Sequence, residues 1–120
     1  MLFRSEQQRV LLARAIAQQT PIMLMDEPTT YLDLYFQVGF LALIKQLARV
    51  DHKTIIVALH DLNQAAQIAD RILLLSNGQV KAFGTPREVL RQQVISETYH
   101  LQVTITPIEG EPGFLITPQH

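Results

Sequence analysis

Apolar positions follow two rhythms along this chain. From Glu6 to Gln18 they recur at helical spacing, with Val10, Ala13, Ile16 and Ala17 opposite Gln7, Arg14 and Gln18. Ser5-Glu6-Gln7-Gln8 has capping-box spacing, which predicts a helix beginning at Glu6. After Pro21 the rhythm changes. Ile22-Met23-Leu24-Met25 is a continuous apolar run, the mark of a short strand buried on both faces. A long helix is predicted over Leu34 to Val50. Its apolar stripes, Leu34-Val38-Leu41-Ala48 and Phe36-Phe40-Leu43-Leu47, form an arc wide enough to predict burial on two sides. Thr54 to Leu59, TIIVAL, predicts a second buried strand, rich in β-branched residues.

The second half is punctuated more sharply. Asp61 with Gln64 marks a helix start, running to about Ala69. RILLLSNGQVKAF places two apolar runs around Asn77-Gly78, a hairpin signal. Thr85-Pro86-Arg87-Glu88 reads as cap, first position and capping-box acid of a further helix. Ser96 is expected to cap one more turn, and the tail from Leu101 predicts two strands around a Gly/Pro turn. Helices alternating with strands indicate an α/β fold with a parallel sheet.

Composition narrows the function classes. The chain has 120 residues, 48% hydrophobic, which fits one small packed domain. A net charge of −1 with scattered basic residues argues against nucleic acid as a partner. With no Cys there are no disulfides and no thiolate metal sites. No apolar run nears the ~20 residues of a membrane span. Met1 to Ser5 is too short to read as a signal peptide.

The candidate chemistry sits where the strands end. Asp26-Glu27 follows the first apolar run and His60 follows the second; open α/β sheets place ligands at such ends. The first acid of such a pair can hold Mg²⁺, directly or through water, and the second can orient or deprotonate a water attacking phosphorus. The structural alternative is that Asp26 to Thr30, DEPTT, is a turn and His60 a hydrogen-bonded structural residue.

EQQRVLLARAIAQ, PIMLMDEPTTYLD and LHDLNQAAQIADRILLLSNGQVKAFGTPREVL resemble, in this order, the ABC-transporter ATPase. The resemblance covers Glu6 to about Leu90. It implies the C-terminal half of that domain: a partial P-loop NTPase (RecA-like) parallel sheet with helices on both faces, plus a C-terminal hairpin and a short β tail. In such a sheet the strand before His60 lies between the strand of Ile22 to Asp26 and the P-loop strand. Residue by residue, Glu6 would close the signature loop and Gln7 to Gln18 would form the helix after it. Asp26 would hold Mg²⁺ through water, Glu27 would be the catalytic carboxylate and His60 the switch histidine on the γ-phosphate. Thr29 to Asp33 match the D-loop, with Asp33 its acid; Tyr31 stands where the family often has a small residue or His. ATP and Mg²⁺ are the implied cofactors. The implied partners are a second ATPase subunit in a head-to-tail dimer, transmembrane permease subunits and, indirectly, a substrate-binding protein, placing the protein at the cytoplasmic face of the membrane. HDLNQAAQIADRILLL and the tail are similar to importers of ferric siderophores, haem or cobalamin.

The sequence also departs from that family. No G-x-x-x-x-G-K-[ST] occurs, so the P-loop strand is lacking. Where the family reads Leu-Ser-Gly-Gly-Glu, this chain reads Leu2-Phe3-Arg4-Ser5-Glu6. Leu-Phe-Arg-Ser is what CTC-TTC-CGA-TCT encodes, the close of a common sequencing adapter, so residues 1–5 are expected to be a non-native scar. Residues 6–95 would then be the C-terminal half of the ATPase domain and 96–120 a short helix and β tail. Two readings stand: a fragment of an importer ATPase, inactive alone, or a short non-catalytic protein that binds an ABC ATPase or permease. A DNA-repair relative is argued against by Glu6-Gln7-Gln8-Arg9 followed by the HDLNQAA helix.

Overall fold

The computed structural model describes residues 10, 13, 14, 17, 20–110 and 113–119. Val10, Ala13, Arg14 and Ala17 are helical and all exposed, including the three expected on an apolar face. The remainder of that helix, Glu6 and the expected scar lie outside the described residues. From Pro21 on, the elements are β1 (Ile22–Asp26), α1 (Leu34–Arg49), β2 (Thr54–Ala58), α2 (Leu62–Ile68), β3 (Ile72–Ser76), β4 (Gln79–Gly84), α3 (Pro86–Val89), α4 (Gln92–Tyr99), β5 (Val103–Pro107) and β6 (Phe114–Pro118). The chain divides into two compact units, one ending at His60 and the other beginning at Asp61, where its length suggested one domain.

In the first unit β1 and β2 are parallel, in register from Ile22 opposite Thr54 to Asp26 opposite Ala58. Among the described residues β2 has no strand partner besides β1. Asp33 caps α1: its Oδ1 accepts from the Phe36 N–H at 3.0 Å. The helix buries Phe40, Leu41, Ile44 and Leu47, and Met23 of β1 and Leu32 are buried in the same unit.

Two-sided burial is not what these elements have. Ile22, Leu24 and Ile56 are 57%, 75% and 60% exposed. They alternate with covered positions and share one face of the β1–β2 pair, so the pair is packed on its other face only. On α1, Leu34, Tyr35 and Val38 are exposed too, so one flank of the apolar arc is covered and the other is not. Each α1 contact is spent on one side because the described part of this unit offers one sheet face to pack against.

In the second unit Asn77 and Gly78, at φ 53° and 73°, make the β3–β4 turn. Both central residues lie in the left-handed region, as a two-residue hairpin of matching twist requires. Thr85 and Glu88 form the expected capping box at the start of α3. Ser96 does not cap a turn: it lies inside α4, which starts at Gln92 with Arg91 as a cap lacking a side-chain hydrogen bond. The sequence carried no cap residue before Gln92. The helix is anchored instead by Gln92 Nε2, which donates to the Val103 carbonyl of β5 at 2.7 Å. The tail is the expected antiparallel pair, with Ile105 opposite Ile116. Val89, Leu90, Ile95 and Val103 form the driest part of a core shared with Ala66, Ile72, Leu74, Phe114 and Ile116. Among the described residues no helix is long and apolar enough to cross a membrane.

Candidate active site

The parallel register sets the site. Asp26 is opposite Ala58, and one residue later the Glu27 N–H donates to the Ala58 carbonyl at 2.8 Å, carrying the ladder past the end of β1. Two residues beyond Ala58 the chain reaches His60. His60 Nε2 and Glu27 Oε1 are in contact, so the acid and the imidazole singled out in the sequence meet across adjacent strand ends. His60 is largely open to solvent and Glu27 about one-third so. Asp26 is exposed at the same end. The strand thus delivers both carboxylates to a wet edge.

Glu27 has φ 47°, in the left-handed region. For a residue with a Cβ that conformation costs about 1–2 kcal/mol. It turns the chain off β1 within one residue and begins the loop to α1. Inside the loop the Thr30 N–H donates to the Glu27 carbonyl at 3.3 Å and the Leu32 N–H to the Thr29 carbonyl at 3.2 Å. Pro28, Thr29 and Leu32 are buried. Tyr31 is half exposed. Asp33 sits at the far end of the loop as the α1 cap, a structural duty in addition to any at a ligand. Glu6 lies outside the described residues.

Sequence reasoning passed over Gln37. Its Nε2 donates to the Thr29 carbonyl at 3.3 Å and to the Leu32 carbonyl at 3.1 Å. The sequence marks it by type alone, as the one amide in Leu34-Tyr35-Phe36-Gln37-Val38, and not by its facing. Among the described residues no group of three or more His, Asp or Glu side chains gathers to hold a metal ion. One exposed carboxylate at a strand end does fit Mg²⁺, which keeps several waters and takes one or two carboxylates plus phosphate oxygens.

No family model matches the chain. The petrobactin import ATP-binding protein of Bacillus anthracis is 40% identical over 109 residues, 91% of this chain and 40% of that protein. The ferric enterobactin transport ATP-binding protein of Escherichia coli is 39% identical over 115 residues, 94% of this chain and 42% of that protein. The hemin import ATP-binding protein of Thermobifida fusca is 45% identical over 109 residues, 89% and 38%. The chain thus spans about two fifths of the length of these relatives. Among solved structures, a metal-chelate type ABC transporter in an inward-facing conformation aligns with 99% of this chain and 48% of its own, with a TM-score of 0.87 and 31% identity. A bacterial ABC transporter cassette in dimeric form aligns with 72% of this chain, with a TM-score of 0.66 and 40% identity. The chain belongs to the ABC-transporter ATPases, of which it spans a part.

Proposed function

We propose that this chain carries the hydrolytic strand ends of the ATP-hydrolysing subunit of an ABC importer, one serving iron-siderophore, haem or cobalamin uptake. The observation that carries the reading is the Glu27–His60 pair across the parallel ends of β1 and β2, with Asp26 beside it. In this reading Glu27 orients and deprotonates the attacking water, and His60 contacts the γ-phosphate. Bound Mg²⁺ supplies neutralisation of phosphate charge, and Asp26 would hold it through water. Glu6 and Asp33 contribute to nucleotide binding. The intact subunit works as a head-to-tail dimer with a second ATPase subunit, beneath transmembrane permease subunits at the cytoplasmic face of the membrane; a substrate-binding protein is an indirect partner and nucleic acid is none. The relatives named for petrobactin, enterobactin and hemin import support the substrate class.

The 120 residues hold no P-loop sequence, so the chain alone is expected to hydrolyse no ATP above buffer. A subunit carrying this sequence behind a P-loop is expected to turn over ATP. In it Glu27→Gln should lower turnover on the order of 10²-fold or more and trap the ATP-bound dimer. Near-normal turnover in Glu27→Gln would refute the assignment of the base. The DNA upstream of codon 1 tests the reading: a continuous frame encoding a P-loop supports it, and a promoter with a ribosome-binding site there would overturn it.

A further inference from the structure

The first two turns of α1 invert the usual order of inside and outside. Leu34, Tyr35 and Val38 are 76%, 81% and 62% exposed, whereas Gln37 is half-buried. A polar side chain turned inward where apolar neighbours face water is the informative case. What it faces is the loop from Glu27. A side-chain amide nitrogen carries two N–H donors, and Gln37 Nε2 lies within hydrogen-bond reach of two carbonyls, Thr29 at 3.3 Å and Leu32 at 3.1 Å. Thr29 and Leu32 are both 6% exposed, so water is a poor substitute for that donor.

The loop needs such a fixing. It starts from a left-handed Glu27, and two backbone hydrogen bonds close it within itself, Thr30 to Glu27 at 3.3 Å and Leu32 to Thr29 at 3.2 Å, neither of which reaches α1. Its other end is the Asp33 cap. Between these ends Gln37 ties the loop to α1. The Gln37 N–H also donates to the Asp33 carbonyl at 2.8 Å, so one residue is fixed to the helix start and to the loop together.

We infer that Gln37 is a positioning residue: its amide holds the Glu27-to-Asp33 loop against α1 and thereby sets where the Glu27 carboxylate stands. This rests on reading Glu27 as the carboxylate that activates water, and its test needs no nucleotide, so it stands or falls apart from hydrolysis. Amide hydrogen exchange of the 120-residue chain is compared for the parent, Gln37→Glu and Gln37→Lys. Glu matches the shape of Gln but has no N–H, whereas Lys keeps donors on a long stem. In Gln37→Glu the Glu27, Thr30 and Leu32 amides should exchange about tenfold faster, the loss of one net hydrogen bond, with the Leu24 and Ile56 amides unchanged. Gln37→Lys should stay close to the parent. Unchanged loop rates in Gln37→Glu would overturn the inference. So would equal acceleration across β1, β2 and α1, which would mark a residue of general stability, and so would equal loosening by both variants.

Discussion

Replacing Ile22, Leu24 and Ile56 together by Thr should turn an associating chain into a far weaker self-partner without unfolding it. Full burial of a Leu or Ile side chain is worth about 1.5–3 kcal/mol. With 57%, 75% and 60% of these three still exposed, each has roughly 1–2 kcal/mol left to gain on being covered. They lie on one face, with Leu24 directly opposite Ile56, so a second copy or an aggregate can cover them together. Thr keeps the β-branched shape that strands favour and returns part of the apolar area as its methyl. The net loss on association is then about 3 kcal/mol, or on the order of 10²-fold in the dissociation constant. Folding should change little, since substitutions at exposed positions usually stay within about 0.5 kcal/mol. Sedimentation velocity over a dilution series reads the effect, with circular dichroism as the check on folding. A parent that stays monomeric throughout, or a triple variant that associates as strongly, would refute the reasoning. So would a variant that loses its helical signal, because these side chains would then contribute to folding.

Three further outcomes follow from single contacts. Asn63 Nδ2 donates to the Ile116 carbonyl at 3.1 Å and its Oδ1 accepts from the Ile116 N–H at 2.6 Å, so Asn63→Ala strips both partners from one residue of β6. A loss of about 1–3 kcal/mol in urea unfolding, with a faster-exchanging Ile116 amide, is expected, and an unchanged Ile116 amide would count against it. The hydrogen bonds from the Thr85 side chain and then the Thr85 backbone hold the Glu88 carboxyl below the ordinary 4.5. That contribution is therefore complete above the ordinary value and lost as pH falls through the lowered one. Thr85→Ala should cost the cap about 1 kcal/mol at neutral pH and flatten the acid-side dependence, whereas parallel pH curves for parent and variant would sink the linkage. Gly78→Ala meets no atom within 4 Å, so its cost should be that of the left-handed backbone alone, about 1 kcal/mol by urea unfolding; a neutral result would mean that the turn changes type.

Local signals were legible because they depend on a few adjacent atoms. Asn77-Gly78 needs only two left-handed residues, and Thr85 to Glu88 only its own side chains, so both can be read from a window of four. The parallel pairing behind Glu27 and His60 was legible for another reason: each residue follows an apolar run, and parallel register brings equal strand ends together. Gln37 and Asn63 were not read, although both were in view. Each acts on a backbone group elsewhere, Asn63 on a residue 53 positions away, and nothing in a helix's own periodicity marks which polar residue turns inward. Ser96 misled because Ser is a good cap by type, whereas the start of α4 is fixed by Gln92 reaching Val103.

The failure that matters most lies in the apolar run itself. Ile22 to Met25 was read as buried on both faces, and Met23 at 4% exposure against Leu24 at 75% shows one face covered and one bare. A strand with one wet face normally alternates apolar with polar; this one does not, and neither does its partner, where Ile56 repeats the exception. The pattern therefore specifies an environment rather than a conformation: cover on two sides. The second unit carries the same mark. Its core is closed around Val89, Leu90 and Ile95, yet the cross-strand pairs Leu73–Phe83 and Leu75–Val80 leave four large apolar side chains more than half exposed. One neighbouring strand is enough to set the strand conformation, whereas burying an apolar run takes cover on both faces, so the element can be read correctly while its burial is not.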